Sequence, residues 1–234
     1  MELPYYRGNH LVKPVIRLIE RIWPEECLVC HVEGLLLCSD CRQMLLTIKT
    51  PTCPFCNRLS SKGSTCKTCQ RRYALNGARA VWYYKSPLTE VIQAIKYRKI
   101  TAPIEILAQT TAAVLTELSR KIDFITSVPS LPRKFNERGF NQSELLAMTV
   151  AIKSGVPYRK LLRRKSTKLA QVGLSRAARF KNVADQFAST VTLNGEKILL
   201  IDDVITTGAT LNACATALKA GGSGSVWALT LAKD

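Results

Sequence analysis

Long apolar runs are missing from this sequence. No stretch approaches the roughly 20 uninterrupted hydrophobic residues of a membrane-spanning helix, because polar or charged residues break each one. Glu2, Pro4, Arg7, Lys13, Pro14 and Arg17 stand where a secretory leader would keep a continuous apolar segment. Neither G-x-G-x-x-G nor G-x-x-x-x-G-K-[ST] occurs, so the Rossmann and P-loop signals are absent. Acidic residues are scarce: 17 Asp and Glu face 34 Lys and Arg, a formal charge of +17. Together these deficits lead us to expect a cytoplasmic protein without a membrane span. Its partner should be polyanionic: nucleic acid, a phosphorylated metabolite or an anionic membrane surface.

The basic excess is uneven. Residues 141–195 hold ten basic residues against two acidic ones, whereas 196–234 hold three against four. An acidic exception in a basic chain needs a local reason. At 234 residues and 47% hydrophobic, the chain can build one ordinary core and a smaller unit.

Eight of the nine cysteines fall between residues 27 and 69, all as C-x-x-C: Cys27 and Cys30, Cys38 and Cys41, Cys53 and Cys56, Cys66 and Cys69. Two intervening residues let a tight knuckle aim both sulfurs at one tetrahedral ion, and two knuckles complete a four-sulfur shell. Two structural zinc sites follow; pairing neighbours keeps the closing loops short, and interleaved pairing stays open. A disulfide framework would require export, and four redox pairs exceed any redox need. Closed shells leave no open coordination position, so the metal should hold structure rather than do chemistry. Two filled sites would lower the formal charge to about +13. His31, beside a knuckle, reads as a surface residue. Ahead of the knuckles, Leu11, Val15, Leu18, Ile19 and Ile22 keep helical spacing.

From about residue 79 strand and helix signals alternate. Strands are expected over 80–84, 124–128, 197–201 and 225–231, and helices over 87–96, 103–118, 142–153, 175–187 and 207–219. That order implies an α/β fold with a mostly parallel sheet flanked by helices, whose ligands sit beyond the carboxyl ends of the strands. The expected domains are 1–26, an N-terminal helical segment; 27–78, a double zinc ribbon; and 79–234, the α/β body.

The sharpest segment runs from Ile198 through Asp202, Asp203, Thr206, Thr207, Gly208, Ala209 and Thr210. A buried strand delivers two adjacent carboxylates, and a Thr/Gly turn then opens a helix. Free N–H groups, hydroxyls and the helix dipole at such a turn suit a phosphate, and a glycine there allows close backbone approach. Two carboxylates would repel the phosphate, but they suit sugar hydroxyls or a nearby cation. The 128–142 stretch adds three cations, Arg133, Lys134 and Arg138, after one strand and before a helix. Residues 162–176 are basic and aperiodic, the profile of either a mobile lid or a solvated loop. Basic residues at Arg71, Arg72, Lys96, Arg98, Arg163, Arg164 and Lys165, interleaved with tyrosines such as Tyr97, could track phosphates and stack bases of a single strand.

The Asp202–Asp203–Thr206–Thr207–Gly208 segment resembles the phosphoribosyl-pyrophosphate (PRPP) signature of type I phosphoribosyltransferases. The ordered set is similar to the ComF family over nearly the whole chain: the cysteine knuckles, Ile95-Lys96-Tyr97-Arg98, Arg138-Gly139-Phe140-Asn141-Gln142, Gln171-x-x-Leu174-Ser175-Arg176 with Arg179 and Asn182, then the acidic pair and its turn. The resemblance implies a type I phosphoribosyltransferase-like fold behind a zinc ribbon, and a part in natural transformation handling incoming single-stranded DNA. It implies Mg-PRPP with its 5-phosphate in the 206–210 turn, its ribose diol on Asp202 and Asp203, its pyrophosphate at Arg133, Lys134 and Arg138, and Arg176 in a closing lid. A transferase for a small acceptor and a zinc-ribbon scaffold for a partner such as a competence helicase are the rival expectations.

Overall fold

Residues 198–201 carry no accessible surface at all, as a strand does only when both faces of its sheet are covered. In the computed structural model, which describes residues 25–117, 121–165 and 186–234, this run is the centre of the molecule's main sheet. The chain divides into two compact units, Met1–Met44 and Leu45–Asp234.

In the first unit, the described residues make two turns around Cys27, Cys30, Cys38 and Cys41, with a short helix α1 (Ser39–Gln43). The Cys38 thiol caps α1 by accepting from the Cys41 N–H at 3.5 Å. The expected helix over residues 11–22 lies outside the described residues.

The second unit holds the other knuckle pair, with α2 (Lys67–Gln70), and the α/β body. Its strands are β1 (Gly77–Tyr83), β2 (Phe124–Ser127), β3 (Leu162–Arg164), β4 (Phe187–Ser189), β5 (Lys197–Ile205) and β6 (Ser225–Lys233). β1, β6, β5 and β2 form one sheet in that order, every pair parallel; β3 and β4 form a separate antiparallel ribbon. The helices are α3 (Leu88–Tyr97), α4 (Pro103–Glu117), α5 (Pro132–Arg138), α6 (Gln142–Ser154) and α7 (Ala209–Ala220). Ile198, Leu200, Val226 and Ala228 share a core with Leu211, Cys214 and Leu218 of α7, so by the strand's two-residue period Leu199, Ile201 and Leu229 serve the opposite face. α6 packs against β5 and β2, and against α4.

Two expectations are corrected, and one helix was not foreseen. Inside the 128–142 stretch, α5 starts with Pro132 in its first turn and stops at left-handed Gly139 (φ 85°), chain signals that outweigh its lack of apolar periodicity. Within the expected 162–176 lid, Leu162–Arg164 is strand β3, and Phe187, placed in a helix, is its ladder partner in β4; Phe187 is buried there opposite Arg164. Residues 166–176 of the lid, Arg176 included, and residues 175–185 of the helix expected over 175–187 lie outside the described residues. Finally, β5 continues past residue 201 to Ile205, so Asp202 and Asp203 sit inside the ladder, with Asp202 opposite Thr230.

Candidate functional site

β5 pairs on both sides, so it delivers Asp202 and Asp203 in a fixed orientation near its carboxyl end. There they line a cavity of about 190 Å³ with Lys96, Tyr97, Lys134, Arg138, Gln142 and Arg164. Two acids and four cations therefore converge from β5, α3, α5 and β3. The Lys96 ammonium lies 2.7 Å from Asp203 Oδ2, and Gln142 Nε2 donates to the same oxygen at 3.0 Å. Gln142 Oε1 in turn accepts from Arg138 Nη1 at 2.9 Å, so one amide links the acid to a buried guanidinium. Ser143 Oγ donates to Asp202 Oδ1 at 2.8 Å. Asn141 caps α6 by accepting from the Ser143 N–H, and its amide donates to the Val128 carbonyl, which seats α6 against the end of β2.

Burial, with the neighbouring Asp203 charge, pushes the Asp202 carboxyl up to about 7, against the pull of Ser143, the Asp203 N–H and Lys96. Burial lowers the Arg164 guanidinium from its ordinary value, with Asp202 and Cys214 acting in the opposite direction. Asp203 and Arg138 are both buried here, the setting in which fixed charges act most on a bound ion.

Not every expected residue is in this cavity. Lys134 and Arg138 line it, but Arg133 does not: its Nε donates to Glu137 at 2.8 Å on the exposed side of α5. Adjacent residues on a helix point about 100° apart, so two neighbouring cations do not share one target. Lys96 was expected on a nucleic-acid surface and is instead inside, paired with Asp203; Arg164 is also drawn in, over the Phe187 ring and bonded to Gln186. Arg71, Arg72, Arg98, Arg163 and Lys165 remain exposed. Tyr97 is 74% exposed at the rim, its ring 5.5 Å from the Arg138 guanidinium.

The 206–210 turn follows β5 directly. Thr206 is exposed, Gly208 is left-handed (φ 74°) and caps α7, and Thr207 Oγ1 accepts from the Ala209 N–H at 3.3 Å. Beside the cavity, a second cleft of about 350 Å³ shares Pro129, Ser130, Asn141 and Arg164 and adds Phe135, Asn136, Glu144 and Lys160. Sequence reading missed it, along with Ser143; the only signal was the Asn141-Gln142-Ser143 run at a helix start.

Each cysteine cluster brings its four sulfurs within 4.8 Å of one another, with neighbouring knuckles paired. Cys30 to Cys38 and Cys56 to Cys66 both measure 3.6 Å. A tetrahedron with zinc–sulfur bonds of about 2.3 Å has edges of about 3.8 Å, so both sets fit zinc. In the second cluster burial raises the Cys53 thiol, yet N–H groups of Cys66, Phe55 and Cys56 outweigh it and bring the group to about 7, suiting a thiolate ligand. When bound, zinc supplies a closed cross-link; the chain's part is to fold two loops around it.

The double zinc ribbon domain family matches residues 18–72. Competence protein ComFC of Bacillus subtilis (strain 168) is 27% identical over 207 residues, covering 85% of this chain and 84% of that protein. DNA utilization protein YhgH of Salmonella typhimurium is 28% identical over 223 residues, covering 88% of this chain and 96% of that one. Among solved structures, the glutamine PRPP amidotransferase from B. subtilis, complexed with ADP and GMP, aligns with a TM-score of 0.38 and 20% identity over 56% of this chain, which spans 26% of that structure's length. Over most of its length, then, the chain is a homologue of the ComFC and YhgH proteins, with a double zinc ribbon on its N-terminal side.

Proposed function

We propose that this protein binds Mg-PRPP in the cavity at the end of β5 and single-stranded DNA on the basic surface around it, acting in DNA uptake in the cytoplasm; its relatives are named for competence and for DNA utilization. The observation that carries the reading is the cavity's composition, a strand-borne acid pair faced by Lys134, Arg138 and Arg164, with a hydroxyl-bearing turn at a helix start following that strand in the chain. The acids suit the ribose hydroxyls, the turn suits the 5-phosphate, and the cations suit the pyrophosphate. Magnesium enters as part of the substrate. The same cations are what a departing pyrophosphate needs, and buried carboxylates favour positive charge developing on the sugar.

Titration calorimetry with Mg-PRPP tests it. Wild type should bind, and the double variant Asp202→Asn, Asp203→Asn should lose a hundredfold or more, since each hydrogen bond to a charged group is worth about 1.5–3 kcal/mol. Unchanged affinity in the double variant refutes the assignment.

The DNA part is supported by Tyr97, 74% exposed with the Arg138 guanidinium over its ring, by its chain neighbour Arg98, and by the exposed Arg163 and Lys165. For about six phosphate contacts, log affinity for a single strand should fall against log salt with a slope near roughly −4. Removing Tyr97 with Tyr97→Ala should cost about 1–3 kcal/mol. A flat salt dependence removes the DNA reading and leaves the sugar-phosphate pocket standing.

A further inference from the structure

The turn expected to take the 5-phosphate has a floor made by the second knuckle. Phe55 is one of the two residues between the thiolates Cys53 and Cys56, and its ring lies beneath Gly208. A Cβ built on Gly208 would sit 3.1 Å from Phe55 Cε1 and 3.6 Å from the Pro54 carbonyl oxygen. Both residues of the knuckle's tip thus lie close beneath Gly208, the left-handed residue of the turn, and Phe55 leaves less room than a Cβ would need. Phe55 is itself held: only 8% exposed, it stacks on Tyr73 at 3.8 Å and 15°.

Two further links tie the same loops to the same helix and sheet. One turn into α7, Asn212 Oδ1 accepts from the Ala74 N–H at 2.8 Å and the Leu75 N–H at 3.4 Å, just past Cys69 of the second cluster. At the end of β6, Lys233 Nζ donates to Thr52 Oγ1 and Asn57 Oδ1, both at 2.8 Å, on either side of the Cys53–Cys56 knuckle. Cys53 and Phe55 belong to the same core as Ile205 and Leu211, which bracket the turn.

We infer that the second cysteine cluster is a positioning element for the phosphate turn: its closed metal shell sets the Pro54–Phe55 tip, and that tip packs under Gly208 and fixes the turn from which α7 starts. Phe55 is a positioning residue, touching no ligand and acting through Gly208. The inference rests on the reading of that turn as a phosphate site, but its mechanical half does not. A side chain at Gly208 would meet both an unfavourable φ and the ring below, so the position is fitted to glycine.

The test uses the full-length chain with both zinc ions and three measurements on Phe55→Ala: zinc per chain, affinity for ribose 5-phosphate and for inorganic pyrophosphate by calorimetry, and amide hydrogen exchange over 206–210. Two zinc ions should remain, ribose 5-phosphate affinity should fall tenfold or more, pyrophosphate affinity should stay within twofold, and exchange in the turn should rise. Unchanged ribose 5-phosphate binding and exchange, or an equal fall for both ligands, overturns the inference. Should Phe55→Ala lose its second zinc ion, Phe55→Leu keeps an apolar tip of smaller width and should show the same selective loss at threefold or more. A wild type that ignores ribose 5-phosphate while its turn still loosens in Phe55→Ala defeats the phosphate reading and leaves the buttress standing.

Discussion

The two cysteine clusters are nearly the same object by spacing and sulfur geometry, yet the structure uses them differently. The first, Cys27 to Cys41, belongs to the small unit Met1–Met44, and its neighbours His31, Val32 and Leu35 are exposed. The second, Cys53 to Cys69, belongs to the α/β unit: Cys53 is fully buried, Phe55 underlies the turn after β5, and residues 46–48 pair along β1 through the Ile48 N–H to the Val81 carbonyl and the Tyr83 N–H to the Leu46 carbonyl. The same motif folds two turns of the small unit in one place and joins the core of the α/β unit in another. What differs is the filling between the thiolates and after them, not the ligands. Pro54 and Phe55 give the second knuckle a stiff aromatic tip that packs.

The largest expected contrast comes from opening each cluster at its exposed sulfurs. Cys56→Ser with Cys66→Ser should lower the heat-unfolding transition of the α/β unit by the equivalent of about 3 kcal/mol or more, since structural zinc binding is folding free energy. Cys30→Ser with Cys38→Ser should leave that transition in place. Both variants should drop from two zinc ions per chain to one, measured by metal analysis beside scanning calorimetry. Equal shifts in the two variants would erase the distinction.

Acid sensitivity separates ribbon from body next. Asp202 titrates near 7 in the folded chain against an ordinary 3.8, because burial and Asp203 disfavour its charge. The folded state therefore holds a proton that the unfolded state has released, and this group's contribution falls as pH rises from about 4 to about 7. In denaturant unfolding of the α/β unit between pH 5.5 and 8, wild type should lose stability through this group as pH rises, and Asp202→Asn should lack that part of the slope. An identical slope in the variant places the pH dependence elsewhere, with the thiolates of the clusters next in line.

How much of this was legible in the sequence follows from distance along the chain. C-x-x-C spacing is local, and so are an apolar run ending in two acids and a Thr/Gly turn before a helix; each announces itself within a dozen residues. The mostly parallel sheet followed from the alternation of such runs. The Ala74–Asn212 hydrogen bond joins residues 138 positions apart, and nothing near either one marks the other. Arg133 and Lys134 look interchangeable in a segment given no helix, and only the helix phase of α5 sends one to Glu137 and the other to the cavity. Lys96 reads as one more surface cation until α3 brings it to Asp203. Charge is visible in a sequence, but its partner is not.

A middle-sized effect tests the wiring between the second cluster and α7. Asn212→Ala strips the acceptor from two backbone N–H groups and should cost about 1–3 kcal/mol. Its signature is local: hydrogen exchange should accelerate at Ala74 and Leu75 while the first cluster's amides keep their rates. A uniform acceleration would mean that Asn212 supports global stability only.

The smallest expected effect lies at the polar contacts around each cluster. Lys233 Nζ makes two 2.8 Å hydrogen bonds to the second knuckle's flanks from a partly buried position, and burial lowers its pKa from the ordinary value. Lys233→Met should cost about 1 kcal/mol in denaturant unfolding, below the usual range for bonds to a charged group because water reaches part of the site. Around the first cluster the matching contact is His31 with Glu26, 3.8 Å apart and mostly exposed. Exposed pairs of that length gain little over their hydrated partners, so His31→Ala should leave both the unfolding curve and the zinc count unchanged. A measurable loss in His31→Ala alongside a silent Lys233→Met would reverse the assignment of which cluster is anchored by its surroundings, and with it the reason for treating the two as different.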